Sequence, residues 1–356
     1  MLHLNSRFMW CGVTLAVLAL TLPLGAQAPA RYTFVDLGAT SESDNDNVAI
    51  NADGQVVGSA RIESIDAIHA VTWTGTTMTD LGALSKHESR AFAINTSGKV
   101  VGYSFIKGDI YRRATLWTNT RASEIPTLGG RDGRACAIND KGQIAGSYTP
   151  PGRNIEHAFR YVGGVATDLG TLGGANSGSF SINAIGQVAG YAATLGDNVV
   201  HAVIWTGSIM TDLGALDGRN SFGRAINAVG QVAGYYTNRE GVTRAVLWTE
   251  KKGVDIGALG GPESKAYGIN ASGDVVGYAV TLLGFHDAFL YSGGHMIDLN
   301  KFLPVGIGWQ LTDAYGINDN GWIVGKGTVH GETHAFLLKP NAMPQNAPVL
   351  PAPPLQ

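Results

Sequence analysis

The sequence predicts an all-β fold, a seven-bladed β-propeller of four-stranded antiparallel blades, with the ring closed by an N-terminal strand joining the last blade. Three observations predict it. A composite motif, Ile-Asn-x-x-Gly-x-Val-x-Gly and close variants, occurs seven times, with Asn51, Asn95, Asn139, Asn183, Asn227, Asn270 and Asn318 spaced 44, 44, 44, 44, 43 and 48 residues apart. Each unit contains four short strand-like segments and none has helical periodicity, which is the pattern of a propeller blade. The two ends are complementary. Asp36-Leu37-Gly38 has no His-Ala strand before it, and the last unit stops at His334–Leu338 with no Asp-Leu-Gly after it. Tyr32–Leu37 therefore supplies the outer strand of the last blade, which leaves no long unpaired edge.

The chain opens with a segment outside this pattern. Arg7 precedes an apolar run from Val13 to Leu24, too short to span a bilayer, and Ala26-Gln27-Ala28 is a small-residue cleavage site. Residues 1–28 read as a secretory signal peptide, and a secreted chain, periplasmic or extracellular, follows. Cleavage removes Cys11 and leaves Cys136 as the single cysteine, so no intramolecular disulfide forms and stability comes from burial. Cys136 shares its repeat position with Phe92, Phe180, Tyr267 and Tyr315, which predicts a packed thiol.

Residues 29–339 form one domain of seven repeats. In the second unit, Arg90–Ile94 is a strand and Asn95-Thr96-Ser97-Gly98 a tight turn, read as a two-residue hairpin. Lys99–Tyr103 is the second strand and Arg113–Trp117 the third. The fourth strand ends near an Asp-Leu-Gly, as at Asp80, Asp168 and Asp212, but is degenerate at Glu124-Ile125-Pro126. Ile ends the first strand in all seven units, and small residues such as Ala137, Ser181 and Gly268 stand just before it, as closely stacked blades require. Truncating Ile182 to Ala is expected to cost about 2–5 kcal/mol. Residues 340–356 hold six prolines and read as a disordered tail.

The repeated I-N-x-x-G-x-V-x-G, followed by His-Ala-Phe at His157–Phe159 and His334–Phe336 and by Asp-Leu-Gly, resembles the HAF-repeat family of bacterial extracellular proteins. The resemblance spans about residues 31–339. It implies an exported repeat protein and brings no catalytic residues with it. Arg113, Arg244 and Asp287 stand where other units have His.

The His and Asp that recur in every unit are expected to hold strands and loops together. Function is sought where units differ, on the face carrying the fourth-to-first and second-to-third connections. Asp46, Arg90, Arg134, Lys265 and Asp313, five residues before their respective Asn, are expected to ring the channel mouth. Six before it stand Ser89, Ser177, Ser221, Ser264 and Thr312, a hydroxyl-rich set suited to sugar. Arg90 and Arg134 suggest paired anion-binding forks, and Trp309 a stacking face. Asp44 and Asp46 are weak Ca²⁺ candidates. No other metal and no cofactor is expected, and catalytic residues are not identifiable.

With 25 Lys+Arg against 28 Asp+Glu there is no basic footprint for nucleic acid, and no apolar run after residue 28 could cross a membrane. The reading is a monomeric, non-enzymatic binding module for a glycan or protein ligand. One alternative is an extracellular lyase or hydrolase drawing on His87, Glu88, Asp46, Asp313 and Arg90. The other is a structural envelope or matrix component.

Overall fold

The computed structural model describes residues 32–40, 48–85, 87–106, 108, 110–196 and 199–341. It is a seven-bladed β-propeller of four-stranded antiparallel sheets. Blade 2 is typical: Ser89–Ile94, Val100–Phe105, Arg112–Thr118 and Arg121–Glu124, innermost strand first. The degenerate Glu124-Ile125-Pro126 still closes this blade, because Ile125 is buried where other units bury the leucine of Asp-Leu-Gly. Blade 7 takes Trp309–Ile317, Ile323–Val329 and Glu332–Pro340 from the end of the chain. Its fourth strand is Tyr32–Ala39, antiparallel to Glu332–Pro340 with Phe34 opposite Leu338. The last strand thus runs one residue into the segment expected as a tail. The expected signal peptide and residues 342–356 of the tail lie outside the described residues. Among those residues no helix is long and apolar enough to cross a membrane.

The first turn of each blade differs from the expected two-residue hairpin. It is a three-residue loop in which the Gly54 amide donates to the Asn51 carbonyl and the Asn51 amide to the Gln55 carbonyl. Gly54 has φ +81°, and its six counterparts are likewise positive, so glycine is required there. The Asn is more than a turn residue. It is buried in every blade. In blade 1 its Oδ1 accepts from the amide four residues on, and its Nδ2 donates to the main-chain carbonyl of the next blade's Asn. Six of the seven inter-blade links are hydrogen bonds of 2.9–3.2 Å, including Asn318 to Asn51 across the chain ends. The asparagines form a belt that sews the blades together around the axis.

Between blades the third strands fill space in two complementary ways. Trp73, Trp117, Trp205 and Trp248 are fully buried, each with a small residue two positions earlier: Val71, Thr115, Val203 or Val246. Phe159, Phe289 and Phe336 occupy that earlier position in the other blades, followed by Tyr161, Tyr291 and Leu338. A large ring at one site is offset by a smaller side chain at the other, which keeps the layer close-packed.

Candidate functional site

The first strands line a central channel of about 460 Å³. Their alternation is broken in blades 2 to 7 by a β-bulge three residues before the Asn, as between Ala135 and Ala137 and between Gly223 and Ala225. A bulge re-aims the extra residue. Phe92, Cys136, Phe180, Arg224, Tyr267 and Tyr315 consequently face the channel rather than a blade interface. The small residues two before the Asn, expected between blades, line the channel too, and the position four before the Asn makes the blade contact instead: Ala91, Ala135 and Ala266 are fully buried. The bulge also explains the second Gly of the motif. A Cβ on Gly234 would collide with the carbonyl of Phe222, and the same clash recurs at Gly102 with Arg90 and at Gly277 with Lys265.

Cys136 is accordingly a channel-wall residue rather than one packed away between blades. Burial pushes its thiol up, against the pull of the neighbouring Arg134. Arg224 stands out most. Its guanidinium lies 4.1 Å from the Phe180 ring centroid and 5.5 Å from that of Tyr267, sandwiched between the neighbouring blades. It has no hydrogen bond or ion pair among the described residues. Above it Arg134 donates to Glu156 at 2.6 Å, and Arg112 forms a multiply hydrogen-bonded pair with Asp132. Burial opposes the Arg134 charge, but the neighbouring acidic groups outweigh burial and raise its pKa. For Asp132 burial pushes up, and hydrogen bonds from the Arg112 side chain and amide win and hold the carboxyl low. Three guanidiniums line the channel and its described lining contains no carboxylate. Aromatic contacts continue around the mouth: Phe222 packs 5.3 Å from Tyr191 and 5.0 Å from Tyr235, and Tyr267 stacks on Tyr315 at 5.2 Å.

The expected site residues are dispersed. Arg134 lines the channel. Arg90 is buried, 3.4 Å from Glu88, so it does not form a fork with Arg134. Lys265 sits over the rings of Tyr235 and Tyr278, at 5.2 and 5.6 Å. Asp313 is 3.6 Å from His286 Nε2. Trp309 packs edge-on against Phe34 at 4.8 Å and touches the blade 7 core. Asp44 and Asp46 lie outside the described residues, and within these no group of three or more His, Cys, Asp or Glu could hold a metal. The hydroxyl-rich ring is corrected outright. Ser89, Ser177, Ser221 and Ser264 are fully buried. Ser89 Oγ accepts from the Ala70 amide and donates to the Gly82 carbonyl, and Ser221 and Ser264 repeat the pair, so these hydroxyls bridge adjacent blades.

The recurrent His and Asp do hold strands together. His69, His157, His201 and His334 lie 2.7–3.0 Å from Asp80, Asp168, Asp212 and Asp36 on the adjoining strand. Arg244 keeps this geometry, and Arg113 keeps its carbonyl half, to Arg131. His157 Nε2 also faces the Ala175 carbonyl, and Arg244 reaches the equivalent pair, Asp255 and the Pro262 carbonyl.

Arg224 was legible in the sequence only by aligning the position three before each Asn. There it is the one basic residue among Val48, Phe92, Cys136, Phe180, Tyr267 and Tyr315. The variability of the fourth-to-first connection pointed two residues upstream instead.

No family model and no curated protein matches the chain. Solved structures do. The β-propeller domain of the Trilobed protease from Pyrococcus furiosus is similar at TM-score 0.50 and 13% identity, over 71% of this chain and 80% of that one. YCF48 bound to D1 peptide is similar at TM-score 0.50 and 10% identity, over 90% and 100%. A gluconolactonase from Xanthomonas campestris reaches TM-score 0.43 at 10% identity, over 88% and 92%. At these identities the likeness is one of fold: the chain is a β-propeller.

Proposed function

We propose that this chain is an exported binding module of the HAF-repeat type, taking its ligand on the face where the fourth-to-first and second-to-third connections surround the channel mouth. The observation that carries the reading is Arg224. Its guanidinium is half-buried in the channel wall with no carboxylate partner among the described residues, which leaves its donors open to an anionic ligand. The described wall presents guanidiniums, phenols, aromatic faces, the Ser181 hydroxyl and a thiol, which bind and orient a ligand. Export rests on the N-terminal segment from Arg7 to Ala28, and the family on the repeat motif. That propeller domains occur in a protease and in a peptide-bound protein agrees with a scaffold open to either role.

Two surface variants test the reading against panels of immobilised glycans and peptides. Leu283→Asp alters the proposed face and Val229→Asp the opposite one. A ligand retained by the parent and by Val229→Asp, lost by Leu283→Asp, and recovered with unchanged mass supports a binding module. Retention insensitive to Leu283→Asp, or a chemically altered ligand, would overturn it.

A further inference from the structure

We infer that the channel recognises a carboxylate presented by an extended polypeptide, either its C-terminus or an Asp or Glu side chain, with Arg224 as the primary fork and Arg134 as the neighbouring cation. This rests on the binding-module reading and specifies the ligand of the same site.

The first ground is charge. Arg112 and Arg134 are each answered by an acid, Asp132 and Glu156, whereas among the described residues Arg224 is held by the faces of Phe180 and Tyr267 and by no acid. A planar guanidinium clamped between two rings keeps its donors in one plane, the arrangement that accepts a carboxylate through two parallel hydrogen bonds. Arg134 and Arg224 line the same channel, with Cys136.

The second ground is shape. Arg224 belongs to blade 5, whose first strand, Asn220–Ile226, has seven residues. The first strands of the flanking blades, Gly173–Ile182 and Gly260–Ile269, have ten each, the extra residues being taken up by a register shift after Gly173 and after Gly260. Their extra residues bond to the ends of the second strands, at the bases of two loop tips. The second-to-third hairpin of blade 5 rises as far as that of blade 6, its Asn238 amide bonding the Val242 carbonyl as the Thr281 amide bonds that of Phe285, so Arg224 lies beneath a level rim whose flanking tips are apolar. The tips carry Leu195 on blade 4, and Leu282, Leu283 and Phe285 on blade 6, at 84%, 82%, 81% and 55% exposure.

The third ground decides between polypeptide and glycan. The channel wall carries phenols and the Ser181 hydroxyl, but no Asn or Gln side chain is in its described lining to orient a sugar ring, and the serines nearest the mouth are committed to bridging blades. Exposed aliphatic tips on both sides of a cationic well instead suit an extended chain with apolar side chains and one acidic anchor.

The test uses fluorescent hexapeptide pools, N-acetylated, each made with a free C-terminus and as the C-terminal amide, and each with and without Asp and Glu. Binding to the full chain is followed by polarisation, beside Arg224→Gln and Arg224→Lys. Melting curves and circular dichroism confirm that both variants fold. The expected result is binding only of pools that carry a carboxylate, weakened roughly 30-fold or more by Arg224→Gln, the scale of removing one partner of a buried charged pair. Arg224→Lys should recover part of it, a point charge lacking the fork. If amides without acids lose binding while acid-containing amides keep it, the anchor is a side chain; if all amides lose it, the anchor is the terminus. Amidated pools lacking acids that bind as well as the rest, or binding unchanged in Arg224→Gln, would overturn the carboxylate inference. If such binding were still lost in Leu283→Asp, the binding-module reading would stand. Absence of binding by every pool would also overturn the inference.

Discussion

At the scale of single residues, the belt asparagines bear a load that turn chemistry does not convey. Asn183 is buried; its Oδ1 accepts from the Gln187 amide, and its Nδ2 donates to the Gln187 side chain and to the Asn227 carbonyl. Asn183→Ala leaves those partners with fewer bonds at a blade junction, which should cost about 1–3 kcal/mol in denaturant unfolding. An unchanged midpoint would show that the belt is incidental. Asp168 gives a pH signature. Burial pushes its carboxyl up, but hydrogen bonds from His157, the Gly170 amide and the Tyr148 hydroxyl outweigh burial and hold it below its ordinary value. The Tyr148 hydroxyl is pushed up by burial and by that same bond. A carboxyl depressed on folding stabilises above its unfolded pKa, and the contribution is lost as pH falls through the folded one. Asp168→Asn should therefore be less stable at neutral pH and show a flatter acid limb than the parent in unfolding measured at stepped pH. Parallel limbs would place the acid sensitivity elsewhere.

At the scale of elements, the third strands make the repeat a volume puzzle with two solutions. Blade 4 pairs Val203 with Trp205, and blade 3 pairs Phe159 with Tyr161. Val203→Phe alone should overpack the blade 4 junction, and Trp205→Tyr alone should leave a void, each costing about 1–3 kcal/mol. The double variant installs the blade 3 solution and should be more stable than the sum of the singles predicts, a coupling readable from a double-mutant cycle. Additive losses would mean that the two positions do not share space. The first strands show where legibility ends. Their existence, order and antiparallel pairing followed from the Asn spacing and the Asn-x-x-Gly turns. Their facing did not, because period-two reasoning assumes an unbroken strand and each bulge shifts the register by one. Position three before the Asn, read from Cys136 as packed, is the extra residue of the bulge and faces the channel. Ser89, Ser221 and Ser264, grouped with the mouth for their nearness to the variable connection, turn their hydroxyls into the interior to bridge blades. The trace of the bulge in the sequence is the second Gly of the motif, which tolerates the close carbonyl, but a Gly has several uses and does not name this one.

At the scale of the whole molecule, a propeller is a stack of similar interfaces in which the last must meet the first. Here that junction is built twice. Near the axis Asn318 donates to the Asn51 carbonyl, and Asn320 reaches the Ala52 carbonyl. At the rim Tyr32–Ala39 pairs along Glu332–Pro340, with His334 joined to Asp36 as third and fourth strands are joined in other blades. Tyr32 adds a ring to the core beneath, 5.1 Å from Phe302. Removing the strand by deleting residues 29–40 exposes Glu332–Pro340 as an edge of unpaired amides and carbonyls and uncovers Leu337 and Leu338, which are now buried. The shortened chain should unfold at lower denaturant. It should also elute as dimers or larger species at concentrations where the parent elutes as one, and a synthetic peptide of residues 29–40 added in trans should reverse both effects. A shortened chain with the parent's midpoint and elution would show that the axial belt alone holds the last blade to the first, with the rim strand a surface ornament of the fold.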